Sequence, residues 1–398
     1  MNYYNIINSD YLSALTDPAA RYYTKVMPMD FWENALGEIY ADILTDTPAQ
    51  QTIGTGNGVR RSLTIALANE DEKYSPNKNS DFWYGRKFSL WEGIEVAEDI
   101  YWQQQGVYYS TRAEEYKGVL NVSAVDKFGA LNGETNTARC PLPFTTDITD
   151  GDLYIADMIR ELLGRNIGNL PIDPITPIID PCFENIKLYA DISLSAGQFY
   201  GAILTTLADM YGADCYYDRF GRLNFRKKAI KDRPWWYGYM GHEWVFTEDD
   251  PNITEGVRRT TDLKAVNTVT VMSDNKDGDA AAVTVKNTNP ESPVCVQIVG
   301  EQYPDECPLY ISIGDTTTQT AEEKCRQYAE YVLCQHTAQL CTESFTTVFL
   351  PHLDTDKLID MRGDDRLITG ISVDHKAKLA QISACSVSYL PKGGIAIE

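Results

Sequence analysis

Histidine is the residue type that would most directly signal metal or acid–base chemistry, and the chain has four: His242, His336, His352 and His375. No two of them have the spacing of a zinc pair. His242-Glu243 lacks the second histidine of an H-E-x-x-H helix, so it is not read as a metalloprotease site. His352, Asp354 and Asp356 could hold a metal ion between them. The plainer reading is a polar turn ahead of a strand. Asn275, Asp277 and Asp279 alternate as calcium ligands do, but the glycine is misplaced for an EF-hand loop and no Glu stands at position twelve. They are read as a hairpin tip. Gly54, Gly56 and Gly58 lack both dinucleotide spacing and a following helix, and read as a flexible loop. No G-x-S-x-G and no phosphate-binding Lys motif occurs. The nine cysteines form no C-x-x-C pair and are read as reduced, buried thiols. No catalytic residue, cofactor site or metal site is therefore expected.

Two surface features remain. Trp235, Trp236, Tyr237 and Tyr239 form the one dense aromatic cluster, which suits a core or subunit interface, or else a sugar-stacking or membrane-facing loop. Arg226-Lys227-Lys228, continuing to Lys231 and Arg233, is the main basic patch. It reads as a solvated strand end or a docking point for an acidic neighbour.

The 398 residues carry a formal net charge of −22, with 25 Tyr and seven Trp. So acidic a chain does not wrap the outside of DNA. A pore through which DNA slides remains compatible, because like charge prevents adhesion. The N-terminus shows no basic region before an apolar stretch, so no signal peptide is expected. No apolar run reaches the roughly 18 residues of a membrane span.

The elements that must position these residues are mostly strands. Alternating or β-branched runs predict strands at 21–27, 61–68, 86–90, 93–96, 106–111 and 118–125. A helix is predicted over 152–163, with Leu153, Met158, Ile159 and Leu162 as its buried stripe. Ser195 and Gln198 form an S-x-x-Q capping box, predicting a second helix that begins there and carries Phe199, Ile203, Leu207 and Met210 on one face. Gly212 stops it. Strand, turn and strand follow, the turn being Asp218-Arg219-Phe220-Gly221 with Gly221 at positive φ. Further strands are expected at 266–272, 280–286, 294–299, 310–313, 344–349, 357–361, 366–373 and 379–389. Thr320 and Glu323 make a T-x-x-E box opening a long helix to about 340, with Ala321, Cys325, Tyr328, Ala329, Val332 and Leu333 inward.

Several passages together resemble the baseplate hub family of phage tails. This fold also supplies the hub part of type VI secretion spikes and the N-terminal part of tail-associated lysins. Asp214–Phe225 (DCYYDRFGRLNF) is similar to the family's strand, D-x-x-G turn and strand. Ala265–Val271 (AVNTVTV) resembles the strand opening its second barrel, and Thr320–Leu333 the long helix of that barrel. Leu353–Met361 and Leu367–Asp374 resemble its closing strands, with Thr355 where a glycine is usual. The likeness covers about 190–390. Val59–Asn69 and Val119–Leu131 fit the first barrel more loosely.

The resemblance implies a mainly β chain with an α+β insert. Two related β-barrel domains, 1–140 and 251–398, flank a smaller α/β domain, 141–250. It implies a homotrimeric, pseudo-hexameric ring without enzymatic activity. Its partners would be itself, the tail tube or distal tail protein, the tape-measure protein, and tip, spike or fibre proteins, with DNA only as passing cargo. Its place would be the virion tail, after folding and assembly in the host cytoplasm. Because the chain stops at Glu398, no lysin domain is expected. A receptor- or carbohydrate-binding tip protein, resting on Trp235–Tyr239, and a tail-associated cell-wall hydrolase are the alternatives.

Overall fold

The structure is a computed structural model of the chain. It describes all residues except 18, 41, 45–49, 76, 136–143, 147–152, 165, 168–169, 189–191, 228–240, 248–249, 251, 255, 262–265, 274–280, 291, 305–319, 340, 387–394 and 398.

The alternation of apolar and polar residues produces one large sheet. Its early members are β1 (Asn2–Tyr4), β2 (Tyr22–Met29), β3 (Gln50–Ile53), β4 (Arg61–Ala68), β5 (Lys87–Val96), β6 (Asp99–Tyr116) and β7 (Val119–Asp126). Helix α1 (Ser9–Leu15) lies between β1 and β2, and α2 (Lys127–Leu131) follows β7 directly. The expected strands at 86–90 and 93–96 are one strand, β5, which absorbs a register shift at Leu90/Trp91. Strand β6 is far longer than expected. Its run Gln103-Gln104-Gln105 interrupts the apolar pattern, yet it is buried and satisfied. Gln103 donates to Ile6 O at 2.8 Å and Gln105 to Pro351 O at 2.9 Å. A buried amide is tolerated where its hydrogen bonds are made.

A smaller helical unit follows. It holds α3 (Ile155–Gly164), α4 (Gly201–Met210), β8 (Ala213–Tyr217) and β9 (Leu223–Lys227). Met158, Ile159, Leu162, Ile203, Leu204, Leu207 and Phe225 share its core, each large aliphatic side chain contributing about 1.5–3 kcal/mol. Helix α4 begins at Gly201, not at Ser195. Gln198 does accept from the Ser195 N–H at 2.7 Å, but this bond closes a turn ahead of the helix, and Tyr200 at the cap position makes no side-chain capping bond.

Apart from short two- and three-residue pieces between 144 and 194, the later elements are β10 (Trp244–Phe246), β11 (Arg258–Thr261), β12 (Thr268–Met272), β13 (Ala282–Asn287), α5 (Val296–Val299), α6 (Ala321–Gln339), β14 (Cys341–Val348), β15 (Leu358–Met361), β16 (Asp364–Asp374), β17 (Leu379–Ser386) and β18 (Ile395–Ile397). Residues 294–299 were expected as a strand. Their β-branched content suits one, but the Asn267 side chain bonds the carbonyls of Val294 and Gly300, at 3.0 and 2.7 Å, and holds the segment as a short helix. At α6, Thr320 and Glu323 exchange both bonds of a capping box, at 2.8 and 3.2 Å. Cys325, Ala329, Val332 and Leu333 pack on Val269, Val271, Val283 and Val285 of β12 and β13. The expected strand at 310–313 and the tip at 275–279 lie outside the described residues.

The large sheet has thirteen strands: ten run β11-β14-β17-β16-β3-β4-β7-β6-β5-β2, and off this path β1 pairs with β6, β15 with β16 and β10 with β15. β3, from the first third of the chain, pairs with β16 from the last, Ile53 opposite Ile371. The chain is mainly β with a smaller helix-containing unit. Among the described residues the strand path is open and does not close into a barrel.

Candidate functional site

The β8–β9 turn is the point where the small unit meets the sheet. Asp218 folds it: its carboxylate accepts from the N–H groups of Phe220 and Arg222 at 2.9 and 3.0 Å. Gly221 donates to Asp218 O at 3.0 Å with φ at +74°. A Cβ at Gly221 would lie 2.8 Å from Val107 Cγ2, so a side chain is opposed by both conformation and packing.

The folded turn aims Arg219 inward, where it is 7% exposed. Its guanidinium donates to Pro351 O and Leu353 O at 3.0 and 2.6 Å and reaches Asp354 at 3.3 Å. Arg61 donates from Nη2 to both Asp354 oxygens at 2.7 Å. Beside it, Arg60 bonds Asp356 at 2.6 Å and stacks 3.5 Å over the Tyr216 ring. Asp126, at the end of β7, accepts from the N–H groups of Arg60 and Arg61 at 2.7 and 2.9 Å and from that of Phe128 at 2.9 Å. Three arginines and three aspartates from four separate stretches of chain thus form one buried seam.

The electrostatics differ within it. Burial pushes the Asp354 carboxyl upward, but the guanidinium groups of Arg61 and Arg219 outweigh burial and hold it well below the usual carboxylate range. Burial dominates at Asp126, which is pushed up to about 6 despite its peptide donors. Burial, reinforced by Arg219, pushes His352 down to about 4. Its ring lies 5.8 Å from Tyr11 and 5.5 Å from Trp244.

A second ionic group clamps the same turn from the other side. Lys127 Nζ donates to Gly221 O at 2.8 Å, Glu33 at 2.6 Å and Asp173 at 2.8 Å. Tyr217 donates to the other Asp173 oxygen at 2.6 Å. The loop of Gly54, Gly56 and Gly58 is anchored as well. Gly58 N–H bonds Cys215 O at 2.9 Å, and Asn57 accepts from Cys215 N–H at 2.8 Å.

A carboxylate saturated by guanidinium and peptide donors is a strut, with little capacity left for proton transfer. The seam's chemistry is mechanical: it fixes the small unit against the sheet and joins the two ends of the chain. Among the described residues no group of three or more His, Cys, Asp and Glu is arranged to hold a metal ion. No described helix is long and apolar enough to cross a membrane.

Asp218 and Gly221 lie at the centre of this site, whereas Ser195, Gln198, Thr320 and Glu323 lie away from it. Trp235, Trp236, Tyr237 and Tyr239 fall outside the described residues. Sequence reasoning passed over Arg60, Arg61, Arg219 and Lys127. Each is 7% exposed or less, but an isolated basic residue gives no sign of burial when its partners lie far along the chain. Asp354 and Asp356 read in the sequence as a polar turn ahead of a strand, or else as metal ligands; the structure sets arginines against both.

No family model matches the sequence, and no curated protein does. Solved structures do. The chain shares its fold with the 43 kDa tail protein of prophage MuSo2 from Shewanella oneidensis, at 12% identity and TM-score 0.54, over 93% of this chain and 99% of that one. It also shares it with the tail protein from Neisseria meningitidis MC58, at 12% identity and TM-score 0.57, over 94% and 99%.

Proposed function

We propose that the chain is a structural subunit of a phage tail or phage-tail-like particle, acting as its baseplate hub. The observation that carries this reading is the correspondence of nearly the whole chain with nearly the whole of two tail proteins. A match confined to one common module would carry no such weight. In this reading three copies form a ring, with the chain divided near residues 140 and 250. The ring joins the tail tube or distal tail protein to the tip, spike or fibres and meets the tape-measure protein. The net charge of −22 suits a lumen through which DNA moves without adhering. The buried seam supports a mechanical part: paired internal charges fix the angle between units that must bear load together. The chain would fold and assemble in the host cytoplasm and end in the virion tail.

The test is composition and necessity. Quantitative mass spectrometry of purified particles should find three copies per tail, and particles made without the gene should lack completed tails. Intact, infective particles without the chain would overturn the proposal.

A further inference from the structure

The large sheet curls until two remote parts of it touch. Between β16 and β5 the strand path runs through β3, β4, β7 and β6. Yet Tyr22 of β2 and Ile94 of β5 pack in one core with Ile371 and Val373 of β16 and Ala380 of β17. Among the described residues no strand pairing joins β2 or β5 to β16 or β17. Side chains bridge them instead. Thr24 of β2 and Glu92 of β5 stand opposite each other in register, and the β16–β17 turn reaches both. Lys378 Nζ donates to Glu92 Oε2 at 2.9 Å and to Thr24 Oγ1 at 2.6 Å. Thr24 Oγ1 donates to Glu92 Oε1 at 2.7 Å, and His375 Nδ1 lies 2.6 Å from the same oxygen. Glu92 is fully buried, and the His375 ring packs edge-on to Phe349 at 5.6 Å.

The backbone of the turn points the same way. Asp374 accepts from the N–H groups of Lys376 and Ala377 at 2.9 and 3.0 Å. Lys378, the last residue of the turn, has φ at +53°. Glycine is the residue that adopts this conformation freely, and a lysine held there is strained. The turn alone would favour glycine; the side chain is what calls for lysine, because it brings an ammonium to a buried carboxylate. Such charge-assisted bonds are about twice as strong as neutral ones, and Glu92 without them would be a buried, unpaired charge. We infer that the β16–β17 turn is a latch. It closes the curled sheet on itself through Glu92, and the sheet opens there first. Release at a junction of side chains breaks no ladder hydrogen bond, so the sheet widens at this place at least cost.

Spin labels carried on p-acetylphenylalanine at the exposed positions of Glu98 and Ala377 report the gap by pulsed electron resonance. Excess unlabelled chain confines the reading to separations within one chain. The otherwise native chain should give one dominant separation. Glu92→Gln keeps the shape and removes the charge; Lys378→Gly removes the ammonium and suits the backbone. In each, a second, longer separation should gain about tenfold in population, because losing one charged partner shifts a two-state equilibrium. Far-ultraviolet circular dichroism should stay that of wild type. If the residue serves the turn alone, Lys378→Gly melts higher than wild type and keeps the single separation, which would overturn the inference. An unchanged separation in Glu92→Gln would also overturn it. So would loss of the strand signal in both variants, since the cluster would then be part of the core and no latch. If Glu92→Gln alone fails to fold, the separation in Lys378→Gly decides.

Discussion

Asp354→Asn keeps the shape of the seam and removes one charge. The side chains it faces, Arg61 and Arg219, are 2% and 9% exposed, so neither recovers its hydration. For charge centres about 4 Å apart at an effective dielectric of about 20, each pair is worth about 4 kcal/mol. Breaking a buried pair from one side costs about 3–5 kcal/mol. Urea unfolding at pH 7 should therefore show a loss of about 3–5 kcal/mol. The pH dependence sharpens the test. The folded pKa of Asp354 is depressed, so its contribution is full above the unfolded value of about 3.9 and drains as pH falls below it. Wild type and variant should converge as pH falls below about 4. Adding Arg219→Leu should cost about 1–3 kcal/mol less in the double variant than the two single losses summed. A loss below about 1 kcal/mol at pH 7, or a gap that stays constant below pH 4, would refute the buried-seam argument.

Gly221→Val should cost about 1–3 kcal/mol by thermal or urea unfolding, because it forces a β-branched residue to positive φ against Val107; an unchanged midpoint would refute the turn geometry. His352, charged below about 6.5 when unfolded but neutral down to about 4 when folded, subtracts stability as pH falls through that window. His352→Phe should flatten the fall in stability between those pH values, measured as the slope of the urea midpoint. Thr320→Ala should lower stability by about 1 kcal/mol through loss of the α6 cap, read as a shift in melting temperature with little change in far-ultraviolet circular dichroism.

Local features were legible in the sequence, and long-range ones were not. Asp218 and Gly221 announce their turn because the bonds that make it span four residues. Thr320 and Glu323 announce a helix start for the same reason. Ser195 and Gln198 carry the same signature, yet serve a turn six residues before α4; a capping box records a local bond, and a helix need not follow it at once. The glutamines at 103–105 concealed the middle of β6, since the partners that permit their burial are Ile6 and Pro351. Arg219 reads only as one member of a four-residue turn until Leu353 and Asp354, more than 130 positions away, are brought beside it. The Gly54–Gly58 loop reads as flexible because its anchor, Cys215, belongs to another unit.

The central claim is a ring of copies, and light scattering with negative-stain images of the same purified sample tests it most directly. The account predicts the mass of three 44.7 kDa chains and particles with a central hole. A mass of one chain at every concentration, or three-chain particles with no opening, would contradict it.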